Sequence, residues 1–380
     1  MKGHKGQILA ANASSVEATL NRGIASLPQP STTKPLQPVS WQQAMKAAIR
    51  SGRELCEHLG LPPELACKSS ESDFPVFAPL EYVSRMQFGD AHDPLLIQVL
   101  GQSLEMQFDP AGSRDPVGDL AARRTGDQTE FAENFDPVLN STEVQPGLLQ
   151  KYRRRVLMIT AGACAVHCRY CFRRHFPYET VPKGKVGWQA ALDAIAHDHS
   201  IDEVILSGGD PLTVTDGLLS WLVERLNAIH HIQRIRVHTR VPVVIPQRVT
   251  PGLLKIVSRS RAAMVFVLHF NHSHEIDEHV RGALRALRLA GSTLLNQAVC
   301  LRDVNDSLEQ QRALCLTLVN AQVIPYYLHQ LDLVQGATHF AVDDARVIDI
   351  VEGLRRELPG YAVPKLVREI AGQPSKTPVA

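Results

Sequence analysis

After Tyr152 the chain falls into a rhythm that few folds accommodate, with short apolar, β-branched runs alternating with helical stretches. The runs are VLMIT (156–160), EVILSG (203–208), IRVHT (235–239), MVFVLHF (264–270), STLLNQAV (292–299) and VIPYYLH (323–329). Between them lie WQAALDAIAHD, DGLLSWLVERLNAI, EIDEHVRGALRALRLAG and SLEQQRALCLTLVNA, patterned as helices. Six strand–helix units predict a parallel sheet, because a parallel neighbour needs a crossover and the helix supplies it. An incomplete (β/α) barrel and a doubly wound sheet both satisfy the pattern. In either, ligands bind at the C-terminal ends of the strands.

The loop after the first run reads CAVHCRYCFRRHF, residues 164–176. It places Cys164, Cys168 and Cys171 in a C-x3-C-x2-C spacing, and the other four cysteines (Cys56, Cys67, Cys300, Cys315) are scattered. That is no disulfide framework; in a cytoplasmic chain, a tight cluster holds metal or does redox work. Structural zinc would need a fourth ligand, His167 or His175, and zinc ribbons pair two half-sites where this chain shows one. An iron–sulfur cluster held by three thiolates needs no fourth side chain. It leaves one iron open to chelate an amine and a carboxylate. The second run ends in LSGGDPL, residues 206–212, where adjacent glycines allow close backbone approach.

The remainder sets bounds. A formal net charge of +1 favours neither nucleic acid nor a membrane surface as partner. No apolar run is long enough to span a bilayer. Residues 1–35 lack periodicity and read as a flexible tail. Residues 36–147 read as an N-terminal helical segment, SWQQAMKAAIRSGRELCEHLG among it, followed by a wrapping connection. A core at 148–342 and a C-terminal segment at 343–380 complete the expected organisation.

C-x3-C-x2-C is the spacing of the radical S-adenosylmethionine superfamily, and the chain resembles it. More narrowly, CRYCFRRHF, LSGGDPL, RVPVVIPQRVTPGLL, HFNHSHEI, LLNQAVCLRDVND and PYYLHQLDLVQGATHF resemble the lysine 2,3-aminomutase family. QPGLLQKY and LVREIAGQPSKTP point to its subgroup serving elongation factor P modification. The resemblance implies a (β/α)6 incomplete barrel of the radical type. It also implies a [4Fe–4S] cluster on Cys164, Cys168 and Cys171, with S-adenosyl-L-methionine near Ser207, Gly208, Gly209 and Asp210. His269, Asn296 and Gln297 are candidate contacts for either cofactor, and equally ordinary polar groups at strand ends.

It further implies pyridoxal 5'-phosphate on Lys376 as a Schiff base, with Lys151 and Arg155 at the phosphate. GQPSKTPV replaces two glycines of the family's segment, stiffening that loop. Read without the resemblance, Lys376 would be an ordinary tail lysine. Arg173 matches the family arginine for the substrate carboxylate; Asp332 and Glu369 match the carboxylates for the ε-ammonium of L-lysine. An external electron donor and a β-lysine-using elongation factor P ligase are implied partners, and a homo-oligomer is possible. Ser307 stands where larger members have a zinc cysteine, so no zinc is expected. The alternatives are an aminomutase for another amino acid or for protein-bound lysine, and a non-catalytic zinc- or cluster-binding regulator.

Overall fold

A computed structural model describes residues 39–106, 110–119, 145–371, 373 and 375–379. The expected tail and most of the wrapping connection lie outside these residues. The described chain builds one nine-stranded sheet whose strands follow sequence order from edge to edge. β1 (Leu148–Tyr152) runs antiparallel to β2 (Arg155–Ala161). From β2 the sheet is parallel through β3 (Glu203–Gly208), β4 (Arg234–Thr239), β5 (Ala263–Leu268), β6 (Thr293–Val299), β7 (Ile324–His329) and β8 (Lys365–Arg368). β9 (Thr377–Pro378) closes the order, antiparallel to β8.

Sequential order decides between the two expected architectures. A doubly wound sheet reverses its strand order at a switch point, whereas a barrel winds in one direction. All six expected runs are strands, β2 to β7, and β8 adds a seventh parallel member. KLVR escapes the sequence pattern because it is four residues long and charged at both ends. β3 is buried at all six positions, the mark of a parallel strand covered on both faces.

Six helices pack outside the strands: α1 (Gly184–His197), α2 (Asp216–Ala228), α3 (Pro251–Arg259), α4 (Glu278–Leu289), α5 (Leu308–Asn320) and α6 (Asp344–Glu357). α1 buries Trp188, Ala191, Leu192 and Ile195, an i, i+3, i+4, i+7 stripe. Ser307 caps α5, its hydroxyl accepting from the Gln310 N–H at 3.2 Å. Among the described residues no helix is long and apolar enough to cross a membrane.

The N-terminal segment is helical, but broken. The stretch SWQQAMKAAIRSGRELCEHLG, read as helical, forms two helices, Trp41–Lys46 and Gly52–His58. Between them Ile49 exchanges backbone hydrogen bonds with Ala78, and Ser51 caps the second helix. A bridging residue needs an extended backbone, which interrupts the helix. Gly60, at φ +68°, ends the second helix as its spacing predicts. This segment docks on the loops beyond the strands. Arg85 donates to Val243 O at 2.6 Å and to Glu275 O; the Gln247 amide donates to Glu81 Oε1 at 3.1 Å.

Candidate active site at the strand ends

The cysteine loop leaves β2 and is pinned from outside. His167 N–H donates to Phe77 O at 3.0 Å and Arg169 N–H to Gln98 O at 2.9 Å. The Arg169 side chain, fully buried, pairs with Glu105 and donates to Phe74 O. The N-terminal segment is therefore a wall of the site. His167 and His175, the fourth-ligand candidates for zinc, contact Pro75 O at 2.7 Å and Gln335 O at 3.2 Å through ring nitrogens. Among the described residues no three ligating side chains converge on a single metal ion.

The three thiols are half-buried and form no disulfide. Burial raises Cys164, and the neighbouring Cys171, Asp210 and Cys168 add to it. Burial and Cys168 push Cys171 up to about 11. Cys164 thus senses both other thiols, and Cys171 senses Cys168. Arg240, which directly follows β4, donates through Nη1 to Cys168 Sγ at 2.7 Å. Three half-buried free thiols on one loop beside a cationic donor fit a polynuclear anionic cluster, whose charge such a donor offsets.

The glycines after β3 are explained first by the chain itself. A Cβ on Gly208 (φ +126°) would lie 2.3 Å from Ala161 O, and one on Gly209 would lie 2.4 Å from Ala163 O. Only glycine lets the end of β3 pass this close to the root of the cysteine loop. Asp210 is similarly occupied. Its carboxylate accepts from Leu212 N–H, Thr239 Oγ1, Arg240 N–H and Val241 N–H at 2.7–3.2 Å. Burial raises it to about 6 against those hydrogen bonds. Ser207 Oγ accepts from Arg173 Nη1 at 3.1 Å, which puts it beside the expected carboxylate receptor.

Asn296 pairs with the Phe270 backbone, accepting at 2.9 Å and donating at 3.1 Å, so it ties β6 to the end of β5. The Gln297 backbone contacts His269. His269 Nε2 bonds to Tyr170 Oη at 2.8 Å; burial, then Arg240, lowers it to about 3. The imidazole is therefore neutral near pH 7.

Four of the expected substrate and pyridoxal residues, Arg173, Lys151, Glu369 and Lys376, form one ladder of alternating charge with Asp119. Arg173 Nε meets Asp119 Oδ2 at 2.7 Å, and Asp119 Oδ1 meets Lys151 Nζ at 2.8 Å. Lys151 lies 3.9 Å from Glu369 Oε1, and Glu369 Oε2 lies 2.7 Å from Lys376 Nζ. Tyr152 Oη donates to Glu369 at 2.6 Å. Burial opposes the charge of Glu369, but Lys376, Tyr152 and Lys151 hold its pKa below the usual range. Asp119 is lowered likewise, by Arg173 and Lys151 against burial.

Asp332 stands apart. Among the described residues no hydrogen bond or ion pair reaches its carboxylate, and burial raises it to about 7 although Lys376 pulls it down. Arg155 stacks on the Tyr152 ring at 4.5 Å and has no ion-pair partner among the described residues. The Nε2 atoms of His238 (β4) and His329 (β7) are buried without partners there, and both imidazoles sense Lys376. An uncompensated cation, two orphaned imidazole nitrogens and a primary amine fit a polar, phosphate-bearing aldehyde. A hollow of about 540 Å³ lined by His199, His230 and His231 lies elsewhere, where α1 and α2 end and β3 and β4 begin.

Asp119, Tyr152 and Arg240 are residues that sequence reasoning missed. Arg240 carried a signal, a charge at the C-terminal end of an apolar run, where α/β chemistry collects. Asp119 carried none, because its partners lie 32 residues or more away in the chain.

Comparison with known proteins gives a consistent picture. No family model matches the chain. The L-lysine 2,3-aminomutase of Escherichia coli (strain K12) is 43% identical over 342 residues, covering 89% of this chain and 94% of its own. That of Haemophilus influenzae is 41% identical over 340 residues, with 89% and 95% covered. That of Clostridium subterminale is 35% identical over 301 residues, with 78% and 67% covered. A radical SAM methyltransferase structure from Sphaerobacter thermophilus overlaps 58% of this chain and 68% of its own at 15% identity and a TM-score of 0.41, too distant to argue from.

Proposed function

Because the chain belongs to the L-lysine 2,3-aminomutase family and is an isomerase, we propose that it moves the α-amino group of L-lysine to Cβ, giving β-lysine. The observation that carries this reading is the ladder with Asp332 beside it. A carboxylate receptor, Arg173, and an ammonium receptor, Glu369 with Asp332, are joined through one run of charges that includes Lys376.

The residues divide the work by charge. Arg173 has Nε and Nη1 engaged by Asp119 and Ser207, and its Nη2 group is the donor proposed for a carboxylate. Asp332 and Glu369 attract an ammonium and repel a side chain ending in a carboxylate, which selects lysine over glutamate. Lys376 is the candidate amine for pyridoxal, with Arg155 and Lys151 for its phosphate. Cys164, Cys168 and Cys171 are the candidate ligands of a [4Fe–4S] cluster. When bound, the cluster with S-adenosyl-L-methionine supplies hydrogen-abstracting radical chemistry, and pyridoxal supplies a conjugated system that delocalises an unpaired electron.

The rest of the chain shields and orients. The N-terminal segment, docked through Arg85 and Arg169, covers the cysteine loop and keeps water from it. Neutral His269 holds Tyr170, which also takes a hydrogen bond from Arg240 at 2.7 Å. An external low-potential donor would supply electrons. The product would serve a ligase acting on elongation factor P, a role supported by the subgroup resemblance of QPGLLQKY and LVREIAGQPSKTP.

The test is an anaerobic assay with reconstituted cluster, S-adenosyl-L-methionine, pyridoxal phosphate, reductant and L-lysine, read by chiral chromatography with mass detection. β-Lysine from the parent, and from neither Cys171→Ala nor Lys376→Ala, is expected. Reductive cleavage to 5'-deoxyadenosine without β-lysine would overturn the substrate assignment. Neither product, from protein holding full iron and sulfide, would overturn the reading altogether.

A further inference from the structure

Arg240 belongs to none of the substrate or pyridoxal contacts, yet it is heavily anchored beside a thiol. Only 6% of its surface is exposed. Nη1 donates to Cys168 Sγ and to Tyr170 Oη, each at 2.7 Å. Nη2 donates to Gln98 Oε1 at 2.8 Å, and to Tyr82 Oη and Glu275 Oε2 at 3.2 Å. Its Cζ lies 5.4 Å from the Tyr82 ring centroid and 5.8 Å from that of Tyr170. Its backbone N–H is held by Asp210 Oδ2 at 2.7 Å. The guanidinium cannot swing away without breaking several buried hydrogen bonds, each expensive to leave unmade.

Gln98 and Tyr82 belong to the N-terminal segment, while Glu275 follows β5. Two parts of the fold thus cooperate to press one cation against one thiol. Glu275 offsets the charge from the far side and is itself fully buried. A fixed positive charge at a sulfur ligand stabilises whichever state of a cluster is more negative, and in a low-dielectric site that stabilisation is large.

We propose that Arg240 sets the reduction potential of the cluster, holding it high enough for a low-potential one-electron donor to reduce it. The step is [4Fe–4S]2+ plus one electron giving [4Fe–4S]1+, with no proton transferred. The thiolate of Cys168 gains electron density, and the Arg240 N–H···S hydrogen bond strengthens. The inference rests on the cluster assignment to Cys164, Cys168 and Cys171, and deepens it. Arg240 is a positioning residue: it acts on the cluster through Cys168.

The experiment compares the parent, Arg240→Gln, Arg240→Lys and Glu275→Gln after anaerobic reconstitution. Iron and sulfide per chain are measured first, then the midpoint potential by redox titration followed by electron paramagnetic resonance. Arg240→Gln keeps an N–H donor and removes the charge. Its oxidised-to-reduced ratio at fixed potential should rise at least tenfold, about 59 mV for one electron. Arg240→Lys should shift less, and Glu275→Gln should shift the midpoint upward by removing the offsetting charge. A merely structural Arg240 would lower cluster content or melting temperature and leave the midpoint of the remaining cluster unchanged. Unchanged midpoints in the arginine and glutamate variants, at full iron and sulfide, overturn the proposal. A parent that binds neither iron nor sulfide instead overturns the cluster reading beneath it.

Discussion

The two poles of the site treat charge in opposite ways. At the cysteine pole, Arg240 and Arg169 are buried and the Arg85 side chain is 6% exposed, each held by several fixed partners from the N-terminal segment and the strand ends. At the lysine pole, charges alternate along Arg173, Asp119, Lys151, Glu369 and Lys376, and Asp332 has no partner among the described residues. The first arrangement is rigid, suiting a group that stays. The second can exchange partners, suiting a charged ligand that arrives and leaves. Asp119 occupies one edge of Arg173 while leaving other N–H groups available, and Asp332 has no ion-pair partner among the described residues. A half-buried carboxylate without an ion-pair partner is one that a cationic ligand stabilises in its charged form.

The largest effect should come from removing either pole's anchor. Cys171→Ala is expected to lose the proposed cluster, seen as iron falling well below the four per chain expected of the parent, and with it all β-lysine. Lys376→Ala should retain the iron but lose the visible absorbance expected when the parent is supplied with pyridoxal phosphate. If either variant lost both signals, the poles would not be separable as described.

Next in size is Asp119→Asn. It should raise KM for lysine about tenfold with kcat little changed, as expected when a hydrogen bond to a charged group is weakened by about 1.5 kcal/mol. Binding of 1,5-diaminopentane, which has no carboxylate, should change far less. Equal loss for both ligands would show that Asp119 merely supports the fold.

A smaller effect concerns pH. Asp332 has its folded pKa raised to about 7 by burial, while an unfolded aspartate titrates near ~3.9. The folded state therefore binds the extra proton between these values, so this group's contribution to stability falls as pH rises from about 4 to 7. Asp332→Asn should raise the melting temperature of the ligand-free protein more at pH 8 than at pH 5. In the parent, lysine should bind more tightly as pH rises through 7, because Asp332 ionises. The variant should lack that limb; a limb that persists would move the assignment to another group.

The smallest effect lies outside both poles. Ser307→Ala removes the α5 cap and should cost about 1 kcal/mol of stability. Turnover at moderate temperature should be unchanged, and a change in KM would mean that the α5 start communicates with the lysine pole.

The parallel core was readable from the chain because a buried parallel strand must be an apolar run and its crossover must be an amphipathic helix. Ranges for β2 to β7 differ from the expected runs by two residues at most. α3 was hidden behind the prolines of VPVVIPQRVTP, yet Pro251 sits at its first position, where its missing N–H does no harm. β1 and β8 were hidden because polar and charged residues share them with apolar ones. Of the site, the thiols and Arg173 stand on one local loop. Lys376 was found only through resemblance, and nothing local marks it.

By itself, then, the sequence determined the β/α winding, the three-thiol loop and its place after the first parallel strand. These depend on periodicity and on spacing within a few residues. Tertiary structure decided which charges meet. Arg240 reaches Cys168 from 72 residues away, Glu369 meets Lys151 and Tyr152 across more than 200, and Asp332 finds no partner among the described residues. Those outcomes depend on which strand ends the sheet brings together and on what burial leaves unpaired, and neither is a property of any short stretch of chain.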